Sequence, residues 1–201
     1  DDAYFGLFFE AETCKESIFA KLAGADPRLL AVKLDGATKE DYVWGFRTGF
    51  ITYGVHDDAA DLLEALEKKT AGCIRGNISN ASHLSQTLLL KSMADKDYDA
   101  LKQEKFDLLK RRAVKMKAVL SDPKFADVFD VYPFNSGYFM CIRLKDVNAE
   151  QLRVHLLEKY GTGLIALGEK NIRVAFSCLE ESDVETLFDI IVSGINDLRK
   201  G

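Results

Sequence analysis

Short β-rich runs alternate with longer amphipathic ones along this chain, and that alternation restricts it to an α/β protein. Leu29 to Leu34 and Gly49 to Tyr53 are β-rich, while Lys15 to Ala23 reads as a helix closed by Gly24 and Pro27. Ala3 to Phe9 reads as a strand end entering a loop. A helix is expected from about Asp57, with Ala59, Leu62, Leu63 and Leu66 on one buried stripe. Asn77 to Asn80 then supplies a loop and cap before a helix through Leu84, Leu88 and Met93. The polar stretch Ala94 to Asp99 introduces a long helix to about Leu120, and a domain boundary is expected at that stretch, between residues 1–95 and 96–201.

The second part has a different rhythm. Two strands, Val128 to Tyr132 and Tyr138 to Leu144, flank Asn135-Ser136-Gly137, whose residue types suit a tight turn. A helix from Ala149 to Tyr160, short strands around Leu164 to Leu167 and Ile172 to Phe176, and a last helix from near Ser182 complete a small α+β domain. Val184, Leu187, Ile190, Ile191 and Ile195 mark the buried face of that last helix.

Composition narrows the function classes. A chain of 201 residues, 47% apolar, can bury a substantial core, and its apolar runs are far shorter than the roughly 20 residues a bilayer requires. No basic-then-apolar leader is read at the start, so neither a membrane nor a secretory protein is expected. The formal charge of −5 speaks against general nucleic-acid affinity, and Lys110, Arg111, Arg112, Lys115 and Lys117 read as a solvated helix face. Cys14, Cys73, Cys141 and Cys178 form no C-x-x-C pair, and His56, His83 and His155 have no metal-ligand spacing. No metal is expected, and a reducing cytoplasm fits best.

Three clusters carry chemistry. Asp1-Asp2-Ala3-Tyr4 joins a carboxylate to a phenol, Thr38-Lys39 follows a β-rich run, and Gly45, Arg47 and Gly49 come six, eight and ten positions after Lys39. This combination resembles the signature of fold-type I aminotransferases of class I/II, which use pyridoxal 5'-phosphate. The resemblance implies the C-terminal part of the large cofactor-binding domain, a mixed sheet with helices, followed by the small α+β domain. It implies Lys39 as the Schiff-base lysine and proton shuttle, the one catalytic residue assigned, and Asp1, Tyr4, Thr38, Lys39 and Arg47 as cofactor-binding residues. Asp1 would pair with the pyridine nitrogen, Tyr4 would bond the ring 3'-oxygen, and Arg47 would bind phosphate through its planar guanidinium.

Two more arginines resemble substrate-binding positions of that family. Arg173, in Asn171-Ile172-Arg173-Val174-Ala175-Phe176-Ser177, would bind the substrate α-carboxylate. Arg75, in Ile74-Arg75-Gly76-Asn77-Ile78-Ser79-Asn80, resembles the stretch that reads an acidic side chain from the neighbouring subunit. Two departures stand out. The prolines that commonly follow that stretch are Ala81 and Ser82, and Gly36 stands where many members place a phosphate-binding serine.

The resemblance spans essentially the whole chain but only the C-terminal half of a typical member. The expected activity is amino transfer from an amino acid to a 2-oxo acid by a ping-pong route, in a homodimer. Residues 1–201 alone are expected not to transaminate. A same-fold carbon-sulfur lyase or decarboxylase would use the same cofactor residues, and a cofactor-sensing domain of a transcription regulator is the rival from another class.

Overall fold

A computed structural model of the chain describes residues 1–56 and 59–200. The described residues fall into two compact units, Asp1–Lys105 and the chain from Phe106 onward, divided within one long helix.

The first unit is built on two antiparallel strands, β1 (Ala31–Gly36) and β2 (Gly49–Gly54), paired from Ala31↔Gly54 to Gly36↔Gly49. A short helix α1 (Ile18–Leu22) precedes them, begun by Ser17, whose Oγ accepts from Phe19 N at 3.2 Å. Its single turn and a half is shorter than the expected Lys15 to Ala23. A helical turn α2 (Ala37–Glu40) follows β1, and α3 (Ala60–Asn77) follows β2. The expected start of that helix at Asp57 lies outside the described residues.

The apolar stripe of α3 is present but not buried. Leu62 is 46% exposed, and Leu63 and Leu66 are half-buried, because a helix buries its stripe only where a neighbouring layer covers it. Tyr53 Oη and Thr70 Oγ1, 2.6 Å apart, link β2 to α3. The cap of the next helix also differs from the expected one. Asn77 still belongs to α3, and Ser82 opens α4 (His83–Met93) by accepting from Ser85 N. Leu89 alone is buried on α4, whereas Leu84 and Leu90 are largely exposed.

α5 (Tyr98–Leu120) contributes Leu109, Ala113 and Met116 to the core of the second unit. Arg112 belongs with them, contrary to the expected solvated face: it is 8% exposed and donates to Ser177 O at 2.5 Å and Glu180 Oε1 at 2.8 Å. Both Nη groups are matched, which offsets most of the cost of an arginine facing the core, while its Nε is buried without a hydrogen-bond partner among the described residues. The second unit's sheet is antiparallel in the order β3-β4-β6-β5, with β3 Phe129–Val131, β4 Met140–Leu144, β5 Ile165–Leu167 and β6 Asn171–Val174. The β3–β4 connection is a loop over 132–139 in which only Gly137 is left-handed, φ 78°, so it is longer than a tight turn at Asn135 to Gly137.

α6 (Ala149–Tyr160) and α7 (Val184–Lys200) accompany this sheet. Asn148 caps α6 by accepting from Glu150 N and Gln151 N, and Gly161 ends it at φ 63°. On α7 the buried row is Val184, Phe188, Ile191 and Ile195, while Leu187 and Ile190 are half-buried. The spacing of four, three and four is the period of one helix face, and Phe188 completes an aromatic cluster with Phe125 and Phe129.

Candidate functional site

Pairing of β1 and β2 runs to their last residues, so the connection 37–48 leaves and returns at one closed neck, Gly36 opposite Gly49. A β-carbon on Gly36 would stand 2.8 Å from Thr48 O and 3.0 Å from Gly49 Cα. Its φ of 174° is ordinary extended backbone, so the need for glycine is steric. The serine expected at this position from the resemblance cannot be seated without moving the backbone.

Lys39 and Arg47 stand near the two ends of that connection. Ala37 is fully buried and anchors α2, leaving Thr38 and Lys39 half-buried beside the neck. On the return, Trp44–Phe46 forms a tight turn and Arg47 takes a left-handed conformation, φ 52°. Arg47 Nη1 donates to Trp44 O at 3.2 Å. Such a backbone costs about 1 kcal/mol for a residue with a β-carbon and persists where its surroundings over-determine it.

The N-terminal segment is tied to the same end of β1. Asp2 N donates to Leu34 O at 2.7 Å, and Ser17 Oγ donates to Asp2 Oδ2 at 2.5 Å. Residues 3–6 form a turn and Phe8 an isolated bridge, in place of the expected strand end from Ala3 to Phe9, with Phe5 N donating to Asp2 O at 2.8 Å. Lys33 Nζ lies 2.5 Å from Asp35 and 3.9 Å from Asp2. The hydrogen bond to Asp35 holds the Lys33 ammonium above the usual lysine range despite its burial. Asp1 Oδ1 accepts from Ala3 N at 3.1 Å, and the Tyr4 ring centroid is 5.9 Å from Lys39 Nζ.

Asp1, Tyr4, Thr38, Lys39 and Arg47 therefore line one open cavity of about 400 Å³, whose wall also includes Asp35, Gly36 and Thr48. A carboxylate, a phenol, a hydroxyl, an amine and a guanidinium converge there.

The other two arginines are elsewhere. Arg75 stands in the last turn of α3, exposed, with Nη1 donating to Ser79 Oγ at 2.7 Å. Arg173 lies in the second unit on β6, paired with Cys141 of β4. Its guanidinium carbon is 4.5 Å from the Phe139 ring centroid, and its Nε is buried without a hydrogen-bond partner among the described residues. An N–H in that state is costly unless a further acceptor is supplied. Phe139 was not legible as a site residue: only the Cys141↔Arg173 register brings a residue two positions earlier beside the arginine. Asp35, in the cavity wall and paired with Lys33, is likewise a site residue that only the structure reveals.

No group of His, Cys, Asp or Glu able to hold a metal ion occurs among the described residues, and no helix there is long and apolar enough to cross a membrane. All four cysteines are free.

Comparison with solved structures finds the same fold in α-aminoadipate aminotransferase LysN from Thermus thermophilus, complexed with N-(5'-phosphopyridoxyl)-L-leucine. The TM-score is 0.79 at 20% identity, over 100% of this chain and 50% of that one. MJ0684 from Methanococcus jannaschii, described as similar in its active site to kynurenine aminotransferases, has a TM-score of 0.71 at 17% identity, over 96% and 48%. A tetra mutant of Thermus thermophilus aspartate aminotransferase has a TM-score of 0.72 at 14% identity, over 96% and 49%. The chain thus spans about half the length of these structures. A search of curated proteins by sequence found no match. Residues 1–191 match the model of the family described as aminotransferase class I and II, whose cofactor is pyridoxal 5'-phosphate, and the chain belongs to that family.

Proposed function

We propose that this chain forms part of a pyridoxal 5'-phosphate transaminase that moves an amino group from an amino acid to a 2-oxo acid. The observation that carries this reading is the single cavity lined by Asp1, Tyr4, Thr38, Lys39 and Arg47. The donor set fits the cofactor: a carboxylate for its ring nitrogen, a phenol for its 3'-oxygen, an amine for its aldehyde, and a hydroxyl and guanidinium for its phosphate.

When bound, the cofactor supplies an acceptor for the electron pair left as the substrate loses its α-proton. Asp1 would accept a hydrogen bond from the ring N–H and keep that proton in place. Tyr4 would donate to the 3'-oxygen. Arg47 and Thr38 would donate to phosphate, with Thr38 or a backbone amide in the place of the serine that Gly36 replaces. Lys39 Nζ would hold the cofactor through its aldehyde carbon; once displaced from that carbon by the substrate amine, the free lysine amine would take the α-proton and return it to a different carbon. Arg173 binds the substrate α-carboxylate, a reading supported by its buried, unmatched Nε and its stacking on Phe139. Arg75 reads an acidic substrate side chain.

A homodimer in a reducing cytoplasm completes the reading. It is supported by the free cysteines and by Ile78, Leu84 and Leu90, each at least 65% exposed on or between α3 and α4. The domain division belongs to this reading at residues 95 and 96, in the polar stretch, whereas the compact units divide after Lys105 within α5.

Borohydride reduction of the whole native protein with pyridoxal 5'-phosphate, followed by peptide mapping, tests the reading. The phosphopyridoxyl group is expected on Lys39. Its appearance on another lysine instead removes the assignment.

A further inference from the structure

α5 reaches back to the turn that bears Lys39. Tyr98 Oη donates to Asp41 Oδ1 in a short hydrogen bond, and Lys102 Nζ donates to the same oxygen at 3.1 Å and to Tyr98 Oη at 3.2 Å. Lys102 Nζ is also 3.5 Å from Glu40 Oε1. Glu40 and Asp41 are the two residues directly after Lys39, and the Asp41 side chain is only 6% exposed. The cavity beside this cluster, about 340 Å³, shares no lining residue with the cofactor cavity.

Two local features call for such a clamp. α2 is a single turn of four residues, and its N-cap, Gly36, makes no side-chain hydrogen bond. Helices that short do not hold themselves in water. Tyr42, immediately after Asp41, takes a left-handed backbone at φ 59°, a conformation that must be imposed from outside. Stability alone does not explain the cluster, since a buried ion pair is often no better than well-packed apolar residues. A second element gripping both residues that follow Lys39 does fix where that lysine points.

We propose that Asp41, Tyr98 and Lys102 are positioning residues that clamp the Lys39 turn and hold its amine toward Tyr4. The proposal rests on the functional reading above. Electrostatics agree with the geometry. Burial opposes the Lys102 ammonium, yet the hydrogen bonds to Tyr98 and Asp41 and the nearby Glu40 outweigh it and hold the group above the usual lysine range. Burial and the Asp41 carboxylate likewise push the Tyr98 phenol up, so it stays a donor.

The test is site-mapped trapping of pyridoxal 5'-phosphate by borohydride in the whole native protein, with variants Lys102→Met, Tyr98→Phe and Lys102→Arg. The readout is the label on Lys39 relative to all other lysines, with the melting temperature recorded in parallel. Lys102→Met and Tyr98→Phe are expected to cut the Lys39 share roughly tenfold in folded protein, as misplacement of a reacting group does. Lys102→Arg, which keeps the charge, should restore most of it. A lower melting temperature with an unchanged Lys39 share in these variants overturns the clamp alone. An unlabelled Lys39 in the unsubstituted protein overturns the functional reading and the clamp with it. Should Lys102→Met not fold, Tyr98→Phe decides, because it removes one hydroxyl and keeps the ring.

Discussion

Gly36 lies directly opposite Gly49 at the last pair of the β1–β2 ladder, and a β-carbon on it would stand 2.8 Å from the carbonyl oxygen of Thr48. The atoms in the way are backbone and cannot swing aside. Gly36→Ser is therefore expected to destabilise the protein by about 1–3 kcal/mol in urea unfolding. Gly45→Ala is the control, because a β-carbon there meets nothing within 4 Å, and its cost should stay below about 0.5 kcal/mol. Equal midpoints for both variants would contradict the steric account.

Arg173 and Arg75 should separate by substrate. If Arg173 binds the α-carboxylate as proposed, Arg173→Ala removes a charged partner of a group every amino acid carries, and kcat/KM should fall for all donors by about 2 kcal/mol or more, roughly thirtyfold. Arg75→Ala should impair aspartate and glutamate and spare alanine. Equal losses for alanine and glutamate would end the role proposed for Arg75.

At the α6–α7 pair, Asp197 accepts from Lys159 Nζ at 2.7 Å and Tyr160 Oη at 2.7 Å, and lies 3.0 Å from His155 Nε2. Lys159 first, then His155 and Tyr160, hold its carboxyl well below the ordinary 3.8. A depressed folded value means that the contribution to stability is present above the ordinary value and is lost as pH falls through the folded one. Asp197→Asn should lower the melting temperature near neutrality, and the gap to the unsubstituted protein should close progressively below about 3.8. A gap that persists in strong acid would show the effect to be packing.

Gly194→Ala pits two effects against each other. Alanine gains about 1 kcal/mol of helix propensity over glycine. Its β-carbon, however, would meet Leu156 Cδ2 at 2.6 Å and Leu152 Cδ1 at 3.2 Å, and both leucines are fully buried. Overpacking at about 1–3 kcal/mol outweighs the gain, so chemical denaturation should reveal a net loss. A stabilised variant would mean that the two leucines can shift.

Periodicity and residue type made α5, α6 and most strands legible in advance, since each is a local pattern with its own caps or turns. α6 matches the expected Ala149 to Tyr160 to the residue, because Asn148 and Gly161 mark its ends chemically. The stripe of α3 failed as a guide to burial, since periodicity tells which face is apolar and not whether anything covers it. In the site, the motif spacing anticipated the residues gathered around the neck. What it could not reach were partners far along the chain: Tyr98 and Lys102 for Asp41, and Phe139 for Arg173. Those depend on tertiary register, which no local window contains.

The ladder that closes at Gly36 and Gly49 also makes the connection 37–48 a ruler. Bringing Lys39 and Arg47 together closes a short loop, a small entropic cost set by a hairpin that can zip early in folding. Arg173 comes from a distant stretch of sequence and waits on the second unit's sheet. An inserted residue anywhere between Lys39 and Arg47 would leave both strands and their register intact, yet lengthen the path along the chain from one of these residues to the other.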